Sequence, residues 1–418
     1  MDVLGQCARL RVARIGAIEA SRHYPNPEIP LAGLGQRWHR TCYHAAVAPP
    51  FGPVGRIPTE LHPGPVIAGL RYEARDSDDV DQHASHLSRW RQQYDQISRG
   101  RFEGRVRELW LDGPRLQVFH EYTGQQTSQQ CEPWAGAIWF GVPDGRGSSE
   151  VHFCGRRQAW GPGRAVLRAS ADAGFALHTP QDFGIYGVAV DDAWLRPQLD
   201  RLHLPAPKTP VQARGVSPAI HLAICETIEA MLRLSAAGDG EQPWGRMALQ
   251  AMIDHLLRLL SDDEEDPSTM IEFDLSRRRW AIVMTARELV SHPMNHAMTV
   301  DDLCAQLHVT RRTLQNHFQR VVGESPADFL KAIRLNVCRR HLRESGDAAL
   351  TVQEVASRWG FFHMGHFSAD YKAMFGELPS QTLRAAQPAR SHGRGRVPAP
   401  SSVPRHPIDG RWVLATAR

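Results

Sequence analysis

The chain has 418 residues, of which 42% are hydrophobic and 22% charged, with a formal net charge of +4. That length allows two or three domains, and the charge is too mild to argue for nucleic acid by itself. Seven cysteines without a C-x-x-C pair exclude a disulfide framework or zinc ribbon, and no apolar run approaches the ~18 residues of a membrane span, so a reducing, cytoplasmic setting is expected.

Residues 1–76 are rich in Pro, Gly and Arg and show no sustained periodicity, so they are expected to be a disordered extension. Trp38, His39, Cys42 and His44 lack a second ligand pair at metal spacing. Asp79 to Ile97 reads as an amphipathic helix with Leu87, Trp90 and Tyr94 on one side. Short strand signals follow at 102–111, 116–122, 137–142, 165–170, 175–179 and 183–190, separated by Gly, Pro and Asp clusters. Many short strands at close intervals predict a sandwich or barrel over 77–200. His120, His152 and His178 stand on separate strands with no H-x-H, so a metal-dependent oxygenase is not indicated. No G-x-S-x-G, P-loop or H-E-x-x-H occurs either. Tyr122, Trp134, Trp139 and Tyr186, with Phe140 and the Glu121 carboxylate, could cage a small ammonium ligand; the same aromatics would also serve as sandwich core.

Residues 201–262 read as a helical connector. The stripe Ile220, Ile224, Ile228, Met231 and a second through Met247, Leu249, Ile253, Leu256 and Leu260 would pack on the sandwich or pair two copies of it. The acidic run from Asp262 opens a linker at 263–275, and an all-α domain is expected over 276–386, its first helix spanning Ser276 to Ser291. A basic, disordered tail at 387–418 would follow.

Thr299 to Pro326 carries the densest pattern. Thr299-x-x-Asp302 has capping-box spacing, Leu303 and Leu307 line one short helix, and Thr310 can cap a second. Leu314, Phe318 and Val321 repeat at i, i+4, i+7, while the opposite face holds Arg312, Gln315, Asn316 and Gln319. Thr351 to Phe361 repeats this pattern at an offset of 52, and one extra residue in the turn shifts the offset to 53, so that Gly323-Glu-Ser-Pro326 maps onto Gly376-Glu-Leu-Pro379. One duplicated two-helix unit, at 299–322 and 351–375, explains all of it. Between the copies Pro326 to Arg343 keeps helical spacing and would act as a rod roughly 27 Å long. From Arg277 to Arg384 there are 15 Lys/Arg against 10 Asp/Glu.

These two units resemble the paired helix-turn-helix domain of AraC/XylS-type transcription regulators over about residues 280–385. The resemblance departs at Met364 and Ala369, where many members carry serine and arginine. The G-F-x-H-x-G-x-F-x-x-D-Y form of the second unit is more similar to ethanolamine-utilisation regulators, and so, less specifically, is the stretch from Phe102 to Pro180. The regulators it resembles begin nearer residue 77, which raises a mis-called upstream start codon as one explanation of the extension. The resemblance implies a multidomain α+β chain with a cupin-like jelly-roll sensor over 77–200, acting as a transcription regulator, either an activator or a repressor. It implies double-stranded DNA as partner, RNA polymerase and a second copy of the chain as further partners, and a small-molecule effector, ethanolamine with adenosylcobalamin. No cofactor is required for DNA binding. Base contacts fall on Arg312, Gln315, Asn316, Gln319, His363 and His366, and phosphate contacts on Arg311, Arg320, Arg340, Arg343 and Lys372. A cupin-type metalloenzyme fused to a DNA module and an effector-independent DNA-binding protein are the rivals.

Overall fold

The computed structural model describes residues 69–146, 149–204, 209–240, 243–261, 267–295, 298–344 and 350–386. The greater part of the expected extension, with its Trp38–His44 cluster, the acidic run after Ser261 and the basic tail lie outside the described residues.

The amino-terminal half is a two-sheet antiparallel sandwich. One sheet has the order β1-β3-β4-β11-β6-β9-β12, the other β2-β5-β10-β7-β8. The strands are β1 Leu70–Ser77, β2 Arg91–Gln96, β3 Gly104–Leu111, β4 Leu116–Thr123, β5 Thr127–Glu132, β6 Ala137–Pro143, β7 Ser149–Phe153, β8 Arg156–Trp160, β9 Ala165–Ser170, β10 Phe175–Thr179, β11 Phe183–Asp191 and β12 Val211–Gly215. Strands form at each of the six expected places, where β-branched and aromatic residues lie between turn formers. Alternate residues of β4 show how the large sheet is used. Phe119 points between the sheets, into a core with Val106, Trp139, Phe153 and Phe175. Val118 points the other way, onto a third layer of helices.

That layer comprises α2 (Asp192–Arg201), α3 (Pro218–Ala236) and α4 (Pro243–Ser261). Ser217 caps α3 ahead of a proline in its first turn, the arrangement that best uses a missing N–H. Ile224, Ile228, Met231, Leu249, Leu256 and Leu260 press onto the outer face of the sheet. Ile220 and Met247, expected in the same stripes, remain exposed.

Three expectations fail here. Asp79 to Ile97 is not one helix: α1 covers only Val80–Ala84, and the chain then enters β2. β1 lies almost entirely in the stretch read as extension, and β12 in the stretch read as connector. The helix α5 (Pro267–Ser291) begins inside the expected linker, nine residues before Ser276. The reason for the β2 failure is physical. Tyr94 enters the sandwich core, but its neighbour Asp95, on the opposite face, is also fully buried because the helical domain covers it. A strand buried on both faces, one of them ionic, shows no apolar alternation for a sequence reading to find.

The carboxyl-terminal half adds α6 (Val300–Gln306), α7 (Arg311–Val321), α8 (Pro326–Glu344), α9 (Val352–Arg358), α10 (Met364–Phe375) and α11 (Pro379–Ala386) to α5. Both expected capping boxes are present, Thr299 with Asp302 and Thr351 with Glu354. Leu314, Phe318, Val321, Phe329, Ile333, Phe367, Tyr371 and Phe375 share one core. The backbone repeats with the sequence. His308 and Gly360, at the offset of 52, both take positive φ (53° and 80°), as do Gly323 and Gly376 at 53 (76° and 75°). Two helix pairs are thus joined through α8.

Candidate nucleic-acid interface

The α7 helix is amphipathic because its apolar residues recur every three or four positions. Leu314, Phe318 and Val321 have no exposed surface. Arg311, Arg312, Gln315, Asn316, Gln319 and Arg320 are exposed. The Thr310 side chain accepts from the Thr313 N–H at 3.1 Å and fixes the first turn, where Arg311 and Arg312 emerge. Arg311 is drawn to Asp301 at 3.2 Å, with both side chains largely in solvent; such a pair is weak and can be exchanged for a phosphate. Gln319 donates to the Gly323 carbonyl at 3.1 Å. The face therefore presents planar amides and guanidinium groups of the kind that bond base edges in pairs.

On α10 the outward positions are His363, His366 and Lys372, all exposed. His363 is the N-cap but makes no side-chain cap bond. His363 and His366 lie edge to face, 6.1 Å between ring centres. Asp370 is held by Lys331 of α8 at 2.6 Å. This surface offers fewer donors than α7.

Two of the expected phosphate ligands lie elsewhere. Arg340 donates to Asp81 (2.7 Å), Asp95 (2.8 Å) and the Tyr94 carbonyl (2.6 Å), all in the sandwich half. Arg343 pairs with Asp79. Arg340 is turned into the contact between the halves, its side chain only 18% exposed, so for it the expectation is corrected; Arg343 pairs with Asp79 through one nitrogen and keeps 42% of its side chain exposed. Arg287 of α5 and Arg339 of α8 complete the network, Arg287 reaching Asp95 at 3.0 Å and Arg339 reaching Asp79 at 3.0 Å and Glu377 at 3.1 Å. Burial raises the Asp95 carboxyl, but Arg287 and Arg340 outweigh it and hold the group below the ordinary aspartate value. Burial likewise raises Asp79, and the Gln82 N–H with Arg339 and Arg343 brings it below its ordinary value. For Asp81 burial prevails over Arg340, and its carboxyl lies higher than usual. Sequence reading missed Arg287, Arg339 and Asn336; their one signal was polarity at helical positions that should be apolar.

The proposed effector residues do not meet. Residues 121 and 122 are neighbours on β4 and so face opposite sides of the sheet. Glu121 lies between the sheets, bonded to His83 (2.9 Å) and approached by the Tyr94 hydroxyl (3.4 Å). Trp134 packs on Trp110 and Trp139 stacks on Phe175. Tyr186 is on the outer face, against His120, donating to Glu229 at 3.2 Å, and Tyr122 lies under Arg146. The residues are divided between two layers, and Trp139 and Trp134 are core. Among the described residues no three His, Cys, Asp or Glu side chains gather as a metal site, and no helix is long and apolar enough to cross a membrane.

Comparison with known proteins gives a family match within the helical half. Residues 303–385 match a family of helix-turn-helix domains. Over 103 residues, 25% of this chain and 31% of the relative, the sequence is 37% identical to a probable thc operon regulatory protein of Rhodococcus erythropolis. Over 97 residues, 23% of this chain and 30% of the relative, it is 28% identical to the XylDLEGF operon transcriptional activator of Pseudomonas putida. The chain thus spans about a third of the length of these curated relatives. A crystal structure of a probable AraC family transcriptional regulator from Rhodopseudomonas palustris CGA009 is 35% identical, with 26% of this chain and 99% of that one covered and a TM-score of 0.24. These relatives are transcription regulators, not enzymes.

Proposed function

We infer that this chain, whose carboxyl-terminal half carries a helix-turn-helix domain of the AraC/XylS type, is a sequence-specific DNA-binding transcription regulator. The observation that carries this is α7: an exposed face of Arg312, Gln315, Asn316 and Gln319 opposite a fully buried Leu314 and Phe318. An ordinary solvated helix gains nothing from such a set of planar, paired donors and acceptors, whereas a major groove can use them. In this reading α7 is the principal reader and α10, with His363 and His366, the lesser one. Arg311, Arg320 and Lys372 hold phosphates.

The test is competition gel shift at physiological salt, comparing DNA upstream of the gene with random duplex. Asn316→Ala should weaken operator binding by about 1–3 kcal/mol and relax selection at one base pair, while His366→Ala should cost less. Equal affinity for promoter and random DNA would replace this reading with an architectural DNA-binding protein. Unchanged operator affinity in Asn316→Ala would remove α7 as the reader.

The sandwich half, read as cupin-like from its two facing antiparallel sheets, would receive a small-molecule signal in the same protein. Ethanolamine and adenosylcobalamin are the first compounds to titrate, on the sequence resemblance alone. An absence of both heat and thermal shift with either would exclude them and leave DNA binding untouched. Activation through RNA polymerase and pairing of two copies belong to the same reading, and transcription in vitro and sedimentation test them.

A further inference from the structure

Among the contacts between the sandwich half and the helical half, three serve different parts of the reader. The first is the closure after α7. Gln126 donates to Glu324 at 3.2 Å, and Gly323 lies so close to His152 that a Cβ there would meet the ring at 3.3 Å. The second is α8 itself. Asn336 accepts from the Gln96 N–H at 3.0 Å and donates to the Gln96 carbonyl at 2.8 Å, completing the unpaired edge of β2 as another strand would. Beside it, Asp79, Asp81, Asp95 and Glu377 are matched against Arg287, Arg339, Arg340 and Arg343.

The third place is the end of α10. The last carbonyls of a helix have no partner within it. Here the Gly100 N–H donates to Ala373 and Met374 (3.0 and 3.1 Å), and Gln96 Nε2 donates to Met374 at 2.6 Å. Gly376 abuts Arg101, which a Cβ would meet at 3.2 Å. Both G-E-x-P closures of the duplicated unit are therefore seated on the other domain.

A partly buried network of four acids and four arginines is a poor source of net stability, because desolvation of its buried members offsets most of the Coulombic gain. What it does impose is geometry, since planar guanidinium groups bond carboxylates in few orientations. Two readers on successive major-groove segments must be spaced by about one helical turn, roughly 34 Å, so geometry is the property at stake. The reading faces of α7 and α10 remain exposed while these contacts are made.

We propose that the sandwich half sets the spacing and relative orientation of α7 and α10, with Asp95, Asp79 and Gln96 as positioning residues for DNA recognition. This rests on the DNA-binding reading above. Arg340 acts through the seat of α8 and not on phosphate, and Arg343 joins that seat through Asp79.

The test uses the full chain, as wild type, Asp95→Asn and Gln96→Leu. A duplex selected from a random pool is bound, then rebound after insertion of one to five base pairs between the two contacted segments. Wild type should lose at least tenfold on insertion, and the variants should lose less than threefold, with weaker binding at the original spacing. Spin labels carried by genetically encoded residues at positions 312 and 369 give a readout without DNA: a narrow distance distribution in wild type, a broad one in the variants. Should Asp95→Asn fail to fold, Gln96→Leu carries both measurements. Wild-type strictness of spacing and a narrow distribution in a folded variant would overturn the proposal. Failure of wild type to select any duplex would instead sink the DNA-binding reading, and the label distances alone would then decide whether the seat positions the helices.

Discussion

The two helix pairs share a skeleton and differ in everything laid upon it. Each begins at a threonine capping box, turns through a left-handed residue, and closes at a left-handed glycine. Yet α7 begins at a hydrogen-bonded threonine cap and presents arginines and amides, whereas α10 begins at His363 without a side-chain cap and presents two histidines. Their seats differ too. His152 and His178 lie under the first pair and the start of α8, His178 6.0 Å from the Phe329 ring. Backbone groups of Gly100 and the Gln96 amide complete the second. What the two pairs share is what folds the unit, and they differ in the faces and seats described.

The largest effect is expected where both pairs share a support. Asn336→Ala leaves the buried N–H and carbonyl of Gln96 without partners, at about 2–4 kcal/mol. Hydrogen exchange should show protection falling in both pairs together; a loss confined to one would show that α8 does not couple them.

Acid should separate the pairs. Burial pushes the His178 imidazole down to about 3, and burial beside Arg157 also lowers His152. The unfolded chain binds protons at these positions below pH ~6.5 while the folded chain does not, so stability falls as pH drops from about 6.5 towards 3. Between pH 7 and 5 the His178 contribution should amount to about 2 kcal/mol. Thermal melts of His178→Leu should show a flatter dependence, and an identical slope would remove His178 as the cause. Asp95, depressed by its arginines, has its own window: its contribution is present above the ordinary aspartate value and is lost as pH falls below it.

The turn gives a smaller and more symmetrical contrast. Gly360→Ala forces a Cβ into the left-handed region, at about 1–2 kcal/mol. His308→Gly at the equivalent position should stabilise by up to about 1 kcal/mol, and denaturant titration of both would check that the sign reverses. Smallest is the cap comparison: Thr299→Ala and Thr351→Ala should each cost about 1 kcal/mol, and a large disparity would show that the two boxes do not serve equivalent helices.

The duplicated unit was legible because its signals are local. A threonine caps the helix three residues before its partner, and Leu314, Phe318 and Val321 meet the core whatever else surrounds them. The six sandwich strands with turn residues at both ends were legible for the same reason. β2 was not, since Arg91–Gln96 forms a strand only by pairing with β5 and by being covered from outside.

By itself the sequence determined two amphipathic helix pairs on a duplicated plan, a β-rich half before them, and an α7 face chemically suited to base edges. These follow from periodicity and capping, which act over a few residues. Only the tertiary structure decided that Arg340 and Arg343 are spent on Asp79, Asp81 and Asp95, and that Glu121, Tyr122, Trp139 and Tyr186 fall on opposite sides of one sheet. A charge's partner and a strand's inward face are set by which surfaces are pressed together across more than 200 residues of chain, and no local pattern carries that information.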